Sequence, residues 1–289
     1  MGRFSEDAAE EAGALADENE ELRRALQQSR QREIKAVRKT EDLVEAVYKA
    51  AHEAQLSLGR RGEIQAPPKD KRRRKPEWAL QHLTDWQYGK STPTYSPQVA
   101  YARVHQFQQK ALEITGIQRE HHPVPNCGML LGGDMIEGVS IFPHQPWEVV
   151  ADLFDQLFET AELLEQAVRF NLTHYEKVHV VAEWGNHGRL GKKDSGIKAS
   201  DNMDRILYEI VRRRLAGEKR LTWEGTGDFY QKVVIGNYRA MLIHGDEIKG
   251  FGGNLPSYGI IRKANAWASG AVDFQFKDLY IGHPHSLFC

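Results

Sequence analysis

Two hydrophobic periods alternate along this chain. Short apolar runs read as buried strands, from about Trp78 to Asp85, Gly128 to Leu131, Lys177 to Ala182, Phe229 to Ile235, Tyr238 to His244 and Phe276 to Ile281. Between them, apolar residues recur at helical spacing. Ser96-Pro97 reads as N-cap and first turn of a helix that runs to about Arg119. Val150, Leu153, Phe154, Leu157, Phe158, Ala161 and Leu164 mark a helix from about Trp147 to Phe170. Further helices are expected from Ala199 to Leu215 and from Ile260 to Ala268, and Gly236-Asn237 signals a hairpin. The order is βαβαβα, then antiparallel strands and one more helix. That predicts an α/β protein with a mixed sheet, or two stacked sheets with helices outside.

The N-terminal part follows a different pattern. Residues 1–58 contain no Pro and are dominated by Ala, Glu, Leu, Gln, Arg and Lys after the first few positions, which is strong helix composition. Leu15, Leu22 and Leu26, then Val37, Val44, Val47 and Ala51, fit a seam, but Ser29 and Glu33 interrupt it. Such a helix serves a homo-oligomer, a protein partner or packing on its own domain, and a solvated helix has the same composition. Residues 59–76 read as a linker: Gly59-Arg60-Arg61-Gly62 breaks the helix, Pro67-Pro68 follows, and Lys71 to Lys75 form a basic cluster. A basic arm binds phosphate backbones without reading sequence, and an ordinary solvated linker is equally basic. The globular domain spans 77–289. It stops four residues after His285, where a sheet normally continues, so a truncated domain is expected.

Composition narrows the class. The net charge is −1, which leaves no global attraction to a nucleic acid or a membrane. Two cysteines, Cys127 and Cys289, make no disulfide framework, and no signal peptide or membrane-length apolar run is visible, so a cytoplasmic protein is expected.

The chemistry gathers where the apolar runs stop. One run ends on Gly185-Asn186-His187, another on Asp85, another on Gly132-Gly133-Asp134, another on His244 and the last on Gly282-His283-Pro284-His285. In open α/β sheets the crevice beyond the strands' carboxyl ends is where ligands bind. In extended backbone, residues i and i+2 share a face, so Asp85 with Gln87, and His283 with His285, are expected to point the same way. Carboxylates, amides and imidazoles converging there make a metal site. Asn186 and His187 are adjacent and should divide the work, one on metal and one on substrate.

This constellation resembles the calcineurin-like metallophosphoesterase superfamily, whose pattern is Asp-x-His, Gly-Asp, Gly-Asn-His, a lone His and Gly-His-x-His. The resemblance covers about Trp78 to His285. It departs at Gln87, where the family has a histidine; similar phage-encoded members also carry Gln there. An amide oxygen is a harder and weaker ligand than imidazole, which favours Mn²⁺ over Zn²⁺ at that position. The resemblance implies a four-layer α-β-β-α sandwich of two mixed sheets flanked by helices. It implies two divalent metal ions, Mn²⁺ first and Fe²⁺ or Zn²⁺ as alternatives. Asp85, Gln87, Asp134 and His285 would hold one, and Asp134, Asn186, His244 and His283 the other. His187 would then protonate the leaving oxygen or steady the phosphoryl charge.

Around this set, Arg189, Lys192 and Lys193 offer cations to substrate phosphates or form an ordinary basic loop. Asp246 is a candidate to orient His244, and Glu137 is either a supporting residue or a surface one. Trp86, Tyr88 and Trp184 flank the ligands and could stack on bases, although Trp86 and Trp184 read more readily as core residues. The expected activity is phosphodiester hydrolysis, with nucleic acid as substrate and a role in phage or bacterial replication or repair. A small phosphoester substrate, or a lapsed site in a regulatory subunit, are the rivals.

Overall fold

The computed structural model describes residues 62–139, 141–142, 145–191, 201–225, 227–248 and 257–285, with scattered positions between 21 and 49. Among the described residues, seven strands form two sheets. The first contains β1 (Trp78–Leu83), β2 (Asn126–Leu131), β3 (Lys177–Ala182) and β4 (Leu221–Glu224), in that order. All its pairings are parallel, so this sheet is not mixed as expected. Helices α1 (Pro97–His121), α2 (Leu153–His174) and α3 (Met203–Arg214) make its crossovers. The second sheet contains β5 (Gln231–Ile235), β6 (Tyr238–Ile243) and β7 (Asp278–Ile281). There β5 and β6 form the expected antiparallel hairpin, and β7 adds in parallel to β6. Helix α4 (Ser257–Ala266) runs into a π-helical turn, Trp267–Ala271.

Strand alternation sorts the core into three layers of contact. Met129, Leu131 and Val180 face α1, α2 and α3, in a cluster with Val104, Leu157, Leu164 and Leu207. Their neighbours Leu130 and Val181 point the other way, onto Val233, Ala240 and Leu242 of the second sheet. On that sheet's far face, Met241 and Ile243 pack against Ile260 and Trp267. The chain is thus an α/β sandwich of helices, sheet, sheet and helix.

Several element limits move. Helix α2 starts at Leu153 rather than near Trp147, because Asp152 caps it, accepting the N–H groups of Phe154 and Asp155 at 2.9 Å each. Trp147 and Val150 are exposed, so their helical spacing was coincidental. Strand β4 was not anticipated; its burial alternates over only four residues, too few to stand out from a loop.

The basic linker is docked along the domain. Arg220 and Arg169 donate to the carbonyls of Ile64 and Gly62, Asp70 N–H to Glu176, and Arg72 to the carbonyls of Arg119 and His122. These partners lie at the amino ends of β2 and β3. The linker therefore runs along the edge opposite the strands' carboxyl ends, a six-residue strand away, about 20 Å. Of the N-terminal seam, Leu26 is helical and exposed, whereas Leu15, Leu22, Val37, Val44, Val47 and Ala51 lie outside the described residues. Among the described residues no helix is long and apolar enough to cross a membrane.

Candidate metal centre

Register places the site. Leu83, Leu131 and Ala182 are aligned across the first sheet, so the segments after β1, β2 and β3 leave one edge together. Ile243 pairs with Ile281 across the second sheet, which sets His244 beside Gly282-His283. The segments after β1 and β2 then continue side by side. Asp85, Gln87 and Tyr88 donate their N–H groups to the carbonyls of Gly133, Asp134 and Met135 at 2.8–3.0 Å.

These loops are packed to the limit of glycine. A Cβ on Gly133, whose φ is +88°, would overlap the backbone of Gly185, and a Cβ on Gly185 would sit on the Asp134 carboxylate. Asp85, Gln87, Asp134, His283 and His285 all have positive φ, between 42° and 62°, and no other described non-glycine residue does. The extended i, i+2 geometry expected for Asp85 with Gln87 and for His283 with His285 is therefore wrong. Each of these side chains is set by a left-handed backbone that costs about 1–2 kcal/mol per residue, and all but the exposed His285 are at least partly buried. Strain concentrated on one set of polar residues is a mark of a functional site.

Asp134, His244 and His283 bring one ligand atom each within 4.8 Å of one another. His244 Nε2 lies 3.1 Å from Asp134 Oδ2 and 3.0 Å from Asn186 Oδ1, while its Nδ1 is 2.8 Å from the carbonyl of Gly132. That carbonyl fixes the Nδ1 proton, so the Nε2 lone pair of the neutral ring points at two further acceptors. Asp134 is fully buried, and its Oδ2 takes no hydrogen bond from a backbone or amide donor. Three lone-pair atoms aimed at one point require a proton or a metal ion between them, and the donor set of carboxylate, amide oxygen and imidazole suits a divalent cation. The field there is strong. Burial opposes charge on His244, yet Asp134 and Asp85 carry its pKa up to about 10. His283, edge-on to His244 with ring centres 5.1 Å apart, is held below its ordinary value by burial and by His244.

Beside this triad lies a second group. Asp85 Oδ1 is 3.2 Å from His285 Nε2, and both carboxylate oxygens accept the His283 N–H at 3.0 Å. Thr84 donates to Asp85 Oδ2 at 2.6 Å. The Asp85 hydrogen bond, against burial, raises His285. Gln87 presents its Nε2 to His187 and His285, 3.2 and 3.3 Å away. As placed it shows them a donor; a half-turn of the amide puts Oε1 in the same position.

His187 is held from behind. Its Nδ1 is 3.2 Å from Glu137 Oε2 and 3.1 Å from the Glu137 carbonyl, and its ring lies 5.1 Å from that of Phe142. Burial works against the imidazolium, but Glu137 and Asp134 outweigh it and hold the pKa above its ordinary value. Its Nε2 faces inward, 3.9 Å from Asp134 Oδ2. Glu137 is thus buried and supports His187.

The site has a foundation that sequence reasoning missed. Asp204, buried at the start of α3, accepts the backbone N–H groups of Asp134, Met135 and Gly185 at 2.8, 3.1 and 2.9 Å. Asn202 caps the helix, accepting from Asp204 N–H at 2.8 Å and donating to the Gly185 carbonyl at 2.7 Å. Burial and the charge of Asp134 lift Asp204 to about 6. The only sequence signal was an Asn and an Asp opening a helix just beyond a polar loop.

Other expectations are corrected. Asp246 does not orient His244; it pairs with Arg189 at 2.5 Å, and Gly132 holds the imidazole. Arg189 is therefore engaged in an ion pair rather than extended into the site. Trp86 and Trp184 are buried, as core residues should be, and Tyr88 is buried with them. Lys192 and Lys193 lie outside the described residues.

No protein-family model and no curated protein matches this chain. One of the solved structures that align with it is a hydrolase. That structure, a phosphopantetheinyl hydrolase from Mycobacterium tuberculosis, aligns with a TM-score of 0.25 at 13% identity, over 73% of this chain and 57% of its own. The chain thus spans little more than half of that neighbour's length, and the site stands on its own geometry.

Proposed function

We propose that the chain is a metal-dependent phosphoesterase, with phosphodiesters as substrates. The observation that carries this is the convergence of Asp134, His244 and His283 within 4.8 Å. In this reading Asp134, Asn186, His244 and His283 hold one divalent cation. Asp134, Asp85, His285 and the turned amide of Gln87 hold a second, with Mn²⁺ as the first choice and Fe²⁺ or Zn²⁺ as alternatives. Bound there, such ions lower the pKa of a water and neutralise phosphoryl oxygens.

The chain's own residues do the rest. His187 carries a proton on Nε2 towards the inner edge of the site, and Glu137 fixes its ring and keeps it charged. As the oxygen of a water that has released one proton to solvent bonds to phosphorus and the ester P–O bond breaks, the Nε2 proton passes to the departing oxygen. The Gly133 and Gly185 turns, tied to Asp204, hold the ligands still and exclude solvent from the side of α3.

The substrate class we favour is nucleic acid, as in a nuclease of phage or bacterial replication or repair. A small phosphoester is the second reading. It is favoured by the position of the basic linker on the far edge of the sheet and by the pairing of Arg189 with Asp246. The test is hydrolysis with Mn²⁺ by the full chain and by Asp134→Ala. The substrates are single-stranded DNA, single-stranded RNA, a cyclic nucleotide and bis(p-nitrophenyl) phosphate. Turnover lost in the variant supports the site, and the preferred substrate decides between the two readings. No turnover of any of them in the wild-type chain with Mn²⁺ bound overturns the proposal.

A further inference from the structure

A groove of about 470 Å³ opens at the carboxyl ends of β3 and β4, against the outer side of α3. It begins at Trp184, the residue before Gly185 of the metal loop, and reaches Trp223 on the edge strand β4. Its wall is one face of α3, carrying Arg205, Arg212 and Arg213 with Glu209 between them. Three cations face one carboxylate, so the groove is locally basic although the chain as a whole carries −1. The groove starts at the same edge of the sheet as the metal centre and follows α3 towards its far end, where Arg213 also lines a hollow with Gly62 and Ile64 of the linker.

The chemistry of the groove is paired. The Arg205 guanidinium lies 5.5 Å from the centre of the Trp184 ring, and Trp223 is half-buried beside Tyr208, their ring centres 6.3 Å apart. Glu209 takes two N–H groups of Arg212, at 2.7 and 2.8 Å, and the Nε–H of Arg213 at 2.5 Å. One carboxylate therefore holds two guanidiniums in place, and each has further N–H donors. Arg205 and Arg212 are seven residues apart on the helix, so the cationic row runs for about 10 Å away from the metal loop. Aromatic faces beside a row of cations are the means by which proteins hold single-stranded nucleic acid: bases stack and phosphates meet the cations.

We propose that this groove is the path of a single-stranded nucleic acid leaving the metal centre, with a base on Trp223 and phosphates on Arg212 and Arg213. The proposal rests on the phosphodiesterase reading for its function, but its test does not. Binding is measured with the full chain in EDTA, using a fluorescein-labelled dodecathymidylate across a range of salt. Arg212→Ala/Arg213→Ala removes two phosphate contacts, which makes the slope of log affinity against log salt shallower by about 1.4. Arg212→Lys/Arg213→Lys restores it. Trp223→Ala weakens binding by about 5- to 160-fold at fixed salt, the range for one stacked base; melting by circular dichroism confirms that each variant is folded.

Three results overturn the assignment: no binding by the wild-type chain at low salt, an unchanged salt slope in the folded Arg pair variant, or a duplex bound more tightly than the single strand. Failure of the phosphodiesterase reading shows elsewhere, as absence of bis(p-nitrophenyl) phosphate turnover by wild-type chain with Mn²⁺.

Discussion

Asp204 holds Asp134 by its backbone: the Oδ2 of the first accepts the amide N–H of the second at 2.8 Å. The same oxygen accepts the N–H of Gly185 at 2.9 Å, so one carboxylate joins the loop after β2 to the loop after β3. Asp134 and Asn186 belong to these two loops, and both approach His244 Nε2. The spacing of three candidate ligands thus depends on a residue that touches none of their side chains.

Asp204→Asn is nearly isosteric but turns an acceptor into a donor against backbone N–H groups. It is expected to weaken Mn²⁺ binding by about 10- to 100-fold, the usual effect of removing a supporting partner. It should also cost about 1–3 kcal/mol of stability, because buried N–H groups lose their partner. Mn²⁺ titration by electron paramagnetic resonance, with urea unfolding on the same samples, measures both. Unchanged affinity in a destabilised but folded variant would restrict Asp204 to a structural role.

His187→Asn is expected to lower kcat on a phosphodiester by about 10²–10⁴ while Mn²⁺ stays bound. Glu137→Gln removes the carboxylate that holds His187 above its ordinary pKa. A proton donor loses activity as pH rises through its pKa, so lowering that pKa moves the alkaline limb of the kcat profile to lower pH. A profile unmoved by Glu137→Gln contradicts proton donation by His187.

Divalent cations should stabilise the fold. The repulsion of the converging lone pairs is relieved when a cation joins them, and binding to the folded state alone contributes about 2.7 kcal/mol at a hundredfold excess over Kd. Differential scanning calorimetry is expected to show Tm rising with added Mn²⁺ in the wild-type chain and staying flat in Asp134→Ala. An equal rise in both would place the binding elsewhere.

Glu183, at the end of β3, is almost fully buried and accepts from Gln231 Nε2 at 2.8 Å and from Trp184 N–H at 3.0 Å. Burial dominates these bonds and lifts its pKa from 4.5 to about 9. Between those values the folded chain keeps a proton that the unfolded chain has released. Stability therefore falls as pH rises through that window, by up to about 1.4 kcal/mol per unit. Glu183→Gln should remove the fall; urea unfolding at pH 5, 7 and 9 tests it, and an equally steep decline in the variant would refute it.

Much of the first sheet was legible because its central strands β2 and β3 are buried on both faces. Lys177–Ala182, apolar except for Lys177 and His179, appears within the limits its pattern sets, whereas β4, four residues of alternating burial, left no trace. The hairpin of β5 and β6 was legible from Gly236-Asn237, the one turn here whose residues name its geometry. The start of α2 was not, because exposed Trp147 and Val150 kept the helical period without joining the helix.

The sequence by itself determined which residues stand at the ends of the strands, and hence Asp85, Asp134, Asn186, His187, His244, His283 and His285 as a set, because a strand's end is written in local hydrophobicity. Only the tertiary structure decided how they face one another. Left-handed backbone at five candidate ligands, the carbonyl of Gly132 behind His244, Glu137 behind His187 and Asp204 beneath two loops all arise from segments tens of residues apart. The same holds for the cations: Lys71 to Lys75 looked like the arm for a phosphate backbone, yet packing sent the linker to the far edge. Packing gathered Arg205, Arg212 and Arg213 beside Trp184 and Trp223, a pairing no local pattern encodes because helix and strand meet only in the fold.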